Sequence, residues 1–87
     1  MALTIGADVR AQFRNDLDLE LKAVVAYNDN IKVAIDAADN ASRDLFAALL
    51  RDEEGHVDFL ETQLMLIDQV GLENYLAQQL GELGDQH

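Results

Sequence analysis

The second half of the chain contains the stretch LFAALLRDEEGHVDFLETQLMLI, which covers residues 45–67. Its apolar positions recur every three or four residues, which is the spacing of one face of an α-helix. This face is formed by Leu45, Leu49, Glu53, His56, Leu60, Leu64 and Ile67. Two of its members are polar, and burying a carboxylate or an imidazole in a core is unfavourable unless a partner compensates it. We therefore expect a long helix whose Glu53 and His56 have a common partner.

A second helical pattern precedes this stretch and has its own polar interruption, at Glu20. The core face of this helix is formed by Val9, Phe13, Leu17, Glu20, Val24, Tyr27, Ile31 and Ala34. The segment at positions 37–42, with its short polar residues, then indicates a tight turn and a new helix N-terminus, and Gly71 indicates a helix end. We predict helices at about residues 7–38 and 41–70, followed by a short helix at about residues 72–80.

Composition limits the chain to one small helical domain. Its 87 residues include no proline and no cysteine, and aromatic residues make up 6%. This composition favours an all-α fold over residues 1–87 and excludes disulfides and thiolate metal sites. The sequence shows no signal peptide, and no apolar run reaches the roughly 20 residues of a membrane span. We expect a cytoplasmic protein that does not enter a membrane.

The charge of the chain limits which classes of molecule can be its partners. The net charge is −11, and only six residues are lysine or arginine. Because proteins bind a phosphate backbone through basic side chains, we expect no nucleic acid as a partner.

Two long helices joined by a short turn are expected to form an antiparallel hairpin. A hairpin covers only one side of each apolar face, so such a thin chain should not be stable alone. The simplest solution is a two-fold homodimer that forms a four-helix bundle.

The polar interruptions are predicted to lie at the same height in this hairpin. Counted from the turn at Asp39, Glu20 is about 19 residues back and His56 about 17 residues forward. A second copy would raise the set to four carboxylates and two imidazoles, which suits two metal ions. Oxygen-rich donors with one imidazole per ion favour iron or manganese, and zinc can occupy the same site. The alternative is a polar layer without metal that sets the helix register.

Two neighbours of this layer have simpler alternative roles. Tyr27 follows Glu20 by two turns, so its hydroxyl could donate to a ligand carboxylate and orient it. The alternative is a core tyrosine that packs against Leu or Phe. Glu54 lies one residue off the polar face and is expected to be a solvated or interface charge.

Several segments strongly resemble the second half of bacterioferritin. They read RNDLDLEL at residues 14–21, RDEEGHVDFLET at 51–62, GLENYL at 71–76 and LTIGADV at 3–9. The similarity covers nearly the whole chain but only the third, fourth and short fifth helices of the usual subunit. The resemblance implies a ferritin-like four-helix bundle that oxidises Fe(II) at a di-iron site and stores the product.

The resemblance also implies roles for individual residues. By position, Glu20 resembles a terminal glutamate ligand, Glu53 the bridging glutamate and His56 the histidine ligand. The family's first helix pair repeats this ligand spacing, and Tyr27 resembles the tyrosine of its first helix. One hairpin therefore looks able to serve as both halves, with two iron ions per dimer and manganese or zinc as substitutes. Glu54 stands where the family has its haem-ligating methionine, so we expect no haem.

Taken with the resemblance, the sequence predicts a homodimeric ferroxidase. In this interpretation Glu20, Glu53 and His56 are both metal ligands and catalytic residues, and O₂ or peroxide oxidises Fe(II) to Fe(III) for iron storage. The alternative is a non-enzymatic helical assembly module, or a truncated bacterioferritin relative that pairs with itself or with a full-length ferritin-like chain. A third interpretation places the chain inside a larger shell that supplies the storage volume.

Overall fold

The computed structural model describes residues 5–85, with side chains described for residues 9–80. Three α-helices follow one another: α1 (Ile5–Asp36), α2 (Asn40–Val70) and α3 (Leu72–Asp85). Arg10 Nη1 and Asp68 Oδ1 lie 3.4 Å apart and join the ends of α1 and α2 far from the turn, as an antiparallel hairpin requires. Within residues 5–85 there is no strand, and no helix has the length and apolar character that a membrane span needs. The predicted all-α hairpin with a short C-terminal helix is confirmed.

The turn between α1 and α2 is closed by hydrogen bonds of the chain itself. Ala38 has a left-handed φ of 56°, and the N–H of Asp39 donates to the Ala34 carbonyl at 2.8 Å. Asp39 caps α2, because its Oδ1 accepts from the Ser42 N–H at 3.1 Å and its Oδ2 from the Ser42 hydroxyl at 2.6 Å. The Ser42 hydroxyl, with a smaller contribution from the backbone N–H, lowers the pKa of Asp39 below its ordinary value. The cap fixes where α2 begins and therefore which residues of the two helices lie at the same height.

Helix α3 is held at the open end of the hairpin by Tyr75. Gly71 ends α2 with a φ of 83°, and its N–H donates to the Ile67 carbonyl at 2.9 Å. The Tyr75 ring is buried and meets the Phe13 ring edge-on, with centroids 6.4 Å apart. The Tyr75 hydroxyl donates to Gln63 Oε1 at 2.5 Å. These contacts tie α3 to both long helices.

Two helix ends differ from the sequence-based prediction. Helix α3 continues to Asp85, past the predicted end near residue 80, although Gly81 and Gly84 lie in this extension. A glycine costs a helix only about 1 kcal/mol relative to alanine, and no proline follows to stop it. Helix α1 ends at Asp36 and not near Ala38, because Ala38 takes the left-handed conformation that starts the turn.

The hairpin buries little of its apolar surface. Among the described side chains, the buried apolar residues are Ala34, Leu60, Ile67 and Tyr75. Leu45 belongs to the core face predicted from the sequence, but its side chain is 58% exposed. The reason is geometric, since one helix pair covers only one side of each apolar face. The rest of that face stays exposed to solvent.

Candidate metal centre

Glu20, Glu53 and His56 meet in the middle of the hairpin, as their matched heights predicted. Each residue offers one donor atom, and the three donor atoms lie within 4.8 Å of one another. His56 Nδ1 is 3.5 Å from Glu20 Oε2 and 3.7 Å from Glu53 Oε2. Among the described residues, no other set of three or more His, Cys, Asp or Glu side chains has this metal-binding geometry.

Two oxygen atoms of this cluster are buried without a hydrogen bond. Glu20 Oε2 and Glu53 Oε2 are inaccessible to solvent and have no hydrogen-bond partner among the described residues. Their distances of 3.5 and 3.7 Å from His56 Nδ1 are too long for good hydrogen bonds. A buried, unsatisfied carboxylate oxygen is destabilising, and a bound cation would remove that penalty. The residues present therefore fit a metal ion.

The donor set indicates which metals fit and leaves room for further ligands. Two carboxylates with one imidazole suit iron, manganese or zinc better than magnesium or calcium. Three protein donors are fewer than the four of a closed zinc site and equal the number in an open site, where water or another ligand takes the remaining position. The His56 side chain is 61% exposed, against 28% for Glu20 and 19% for Glu53. The cluster is thus open on the side where His56 lies.

Tyr27 packs against a neighbouring ring within the single chain. It is half-buried, and its ring centroid lies 6.3 Å from that of Phe46 on α2. Among the described side chains, its hydroxyl has no hydrogen bond to Glu20 or Glu53. This contact matches the core-packing alternative. A hydrogen bond to a ligand carboxylate would need a carboxylate from another chain and stays a prediction.

Glu54 lies on the other side of the hairpin from the cluster's open side. It is exposed and lines a shallow groove of about 420 Å³ together with Leu21, Val24, Val57 and Asp58. This position agrees with the expected solvated or interface charge.

Sequence reasoning did not single out Leu19, which directly precedes Glu20. Its side chain is 63% exposed. The periodic pattern placed Leu19 off the core face, and only the exposure of His56 in the folded chain shows that the neighbouring flank is open. The signal available in the sequence was the difference in charge between the residues on the two flanks of Glu20 and Glu53.

Known proteins are similar to this chain in sequence. The family described as the ferritin-like domain matches residues 2–70. A bacterioferritin from Brucella melitensis is 42% identical over 73 residues, which cover 84% of this chain and 45% of the relative. Bacterioferritins from Mycobacterium avium and Streptomyces coelicolor are 39% and 40% identical, over 88% and 84% of this chain and 48% and 44% of their own length. The chain spans about half the length of the curated relatives that it matches. With more than half of its residues matched by the family, the chain belongs to the ferritin-like domain family.

Proposed function

We propose that the chain binds iron and oxidises Fe(II) to Fe(III) at a di-iron site formed between two copies of itself. The observation that best supports this proposal is a pair of buried oxygen atoms, Glu20 Oε2 and Glu53 Oε2, which have no hydrogen-bond partner among the described residues. His56 Nδ1 lies beside both of them. Similarity to bacterioferritins supports iron as the metal and iron storage as the purpose.

Two copies would supply a balanced set of donors. Their four glutamates carry four negative charges, which match the charge of two divalent ions, and the imidazoles add neutral donors. In each copy, Glu20 and His56 would be the terminal ligands of one ion, and the two Glu53 carboxylates would be shared by both ions. In the dimer, the Tyr27 hydroxyl would donate to a ligand carboxylate and orient it. Manganese or zinc would fit the same donors, and no residue is assigned to haem.

Iron is the substrate of the proposed reaction. Each of two Fe(II) ions loses one electron, and O₂ takes up these two electrons with two protons from water to leave as hydrogen peroxide. With hydrogen peroxide as the oxidant, two electrons and two protons break its O–O bond and give two water molecules. The carboxylates contribute by holding two ions close together and by stabilising the higher charge of the product.

The test is an anaerobic Fe(II) titration followed by exposure to O₂. We expect binding that saturates near one iron per chain, then rapid oxidation. Glu53→Gln keeps the size of the side chain but removes its charge, so saturable binding and rapid oxidation should be lost. Glu54→Gln is the matched control on the adjacent, exposed residue and should behave as wild type. Wild-type oxidation that is no faster than that of Glu53→Gln would overturn the proposal.

A non-enzymatic assembly module is the second candidate function. It is supported by large exposed apolar side chains such as Leu19 and Phe59, which favour a protein partner whether or not metal binds. This candidate predicts an oligomer, of this chain alone or with a full-length ferritin-like chain, whose mass does not change with metal or chelator.

A further inference from the structure

The two flanks of Glu20 lie on different sides of the hairpin. Leu19 and Leu21 directly precede and follow Glu20, so each is turned about 100° away from it in opposite directions. Leu21 shares a groove with Glu54 of α2, which places both residues on the same side of the hairpin. Leu19 therefore lies on the opposite side.

Helix α2 divides in the same way around Glu53. At about 100° per residue, Leu45, His56 and Phe59 fall on the flank of Glu53 that is opposite to Glu54. We define the His56 side as the surface formed by Leu19, Leu45, His56 and Phe59. We define the Glu54 side as the surface formed by Leu21, Glu54, Asp58 and Met65.

The His56 side exposes large apolar groups and carries little charge. Leu19 is 63% exposed, and Leu45 and Phe59 are each 58% exposed. Among the described side chains that helix periodicity places there, the charged ones besides His56 are Asp16 and Asp52. The Glu54 side also exposes apolar groups, with Leu21, Val25, Ile35 and Met65 between 42% and 60% exposed, so charge is what distinguishes the two sides. The charged residues of the Glu54 side are Arg10, Arg14, Lys32, Arg43, Glu54, Asp58, Glu61 and Asp68. Exposed apolar groups on a charge-poor surface are typical of a protein interface.

The exposed area of the chain is large enough for such an interface. Its accessible surface is 6343 Å². A compact chain of this length is expected to expose about 5,000 Å². The excess is on the order of 1,000 Å², comparable with the roughly 800 Å² that each partner contributes to a stable interface.

We propose that a second copy of the chain docks on the His56 side, with Leu19 and Phe59 of each copy surrounding the carboxylate layer. A second copy is the occupant because it brings the missing donors to the height at which Glu20 and Glu53 lie. Ala23 and Ala26 fall on the same flank as Leu19, and their small side chains allow another helix to approach closely. The role of the metal donors in this dimer rests on the proposed function, whereas the apolar contact does not.

The first test compares lysine substitutions on the two sides of the same helix. Phe59 and Met65 are exposed to similar extents, 58% and 50%, but lie on the His56 side and the Glu54 side respectively. Sedimentation equilibrium should show a dimer for wild type and for Met65→Lys. Phe59→Lys should weaken dimerisation at least about tenfold, because it puts a charge into an apolar contact in both copies. Equal dimerisation of both variants, or a wild-type chain that stays monomeric at high micromolar concentration, overturns the proposal.

A second measurement keeps the proposal testable if a lysine variant unfolds, which circular dichroism would reveal. The chain has no cysteine, so Leu19→Cys and Leu21→Cys each introduce one site for a spin label. Facing helices pack about 8–10 Å apart, so labels at Leu19 should give the shorter distance across the dimer. A shorter distance for Leu21→Cys would assign the interface to the Glu54 side.

Mn(II) binding by the same samples separates this proposal from the proposed function. A dimer that depends on Phe59 but does not bind Mn(II) supports the interface and overturns the di-metal site. Saturable Mn(II) binding, together with an unchanged dimer mass in Phe59→Lys, supports the di-metal site and overturns the proposed interface.

Discussion

The turn and the middle of the hairpin use the same functional group in different ways. At the turn, both oxygen atoms of Asp39 accept hydrogen bonds from Ser42, at 3.1 and 2.6 Å. In the middle, Glu20 Oε2 and Glu53 Oε2 are buried and have no such donor among the described residues. The exposed carboxylate is satisfied by its own chain, and the two buried glutamate oxygen atoms are not.

This difference separates a structural carboxylate from a functional one. A capped helix end stabilises the single chain and needs nothing further. A buried carboxylate without a donor destabilises the single chain, and the penalty disappears only when a cation or another chain reaches it. Changes at the turn and in the middle should therefore alter stability with opposite signs.

The largest expected effect is stabilisation by a divalent metal. A ligand at about 100 times its dissociation constant stabilises the folded state by about 2.7 kcal/mol. For a chain of this size, that should raise the Tm by more than about 10 °C. The measurement is thermal unfolding with Mn(II), which avoids oxidation of the metal during the experiment, and a chelator should reverse the shift. An equal rise for Glu53→Gln would show that the metal acts elsewhere on this acidic chain.

A smaller effect of unusual sign is expected for Glu20→Gln without metal. The substitution removes the charge of one of two close, half-buried carboxylates, each with a buried oxygen atom, so the metal-free protein should become more stable by about 1 kcal/mol, which is several degrees in Tm. The same variant should lose its response to Mn(II). Glu54→Gln, which changes an exposed carboxylate, should leave the Tm almost unchanged. A lower Tm for Glu20→Gln would mean that the contact between Glu20 and His56 already satisfies this carboxylate, which would remove the contrast with Asp39.

The sequence could predict the convergence of the site because two simple regularities determine it. Helix periodicity puts Glu20 on one face of α1 and the pair of Glu53 and His56 on one face of α2, and nearly equal distances from the turn bring them to one height. Asp39 was recognisable as part of the turn because short polar side chains accept hydrogen bonds from a helix N-terminus.

Periodicity could not tell which flank of each face is covered. It assigned Leu45 to the core, although the single hairpin leaves this residue 58% exposed. It also gave no indication of the hydrogen bond between Tyr75 and Gln63, because that contact depends on how α3 crosses the hairpin. Such contacts follow from three-dimensional packing, which a one-dimensional pattern does not contain.

The smallest expected effect is at the turn, where Asp39→Ala removes the cap of α2. The pKa of Asp39 is lowered in the folded chain, first by the Ser42 hydroxyl and then by the backbone N–H. A carboxyl group with a depressed folded pKa stabilises the protein above its unfolded pKa, and this contribution is lost as the pH falls through the folded pKa. Asp39→Ala should therefore lower the Tm by a few degrees at neutral pH, with or without metal. The difference from wild type should shrink below about pH 4. Thermal unfolding of wild type and Asp39→Ala between neutral and acidic pH measures this difference in Tm.

A difference in Tm that is constant down to the lowest pH would mean that the charge of Asp39 does not contribute to stability. A difference that appears only with Mn(II) would mean that the turn acts through the metal site, and the two carboxylate positions would then not be independent.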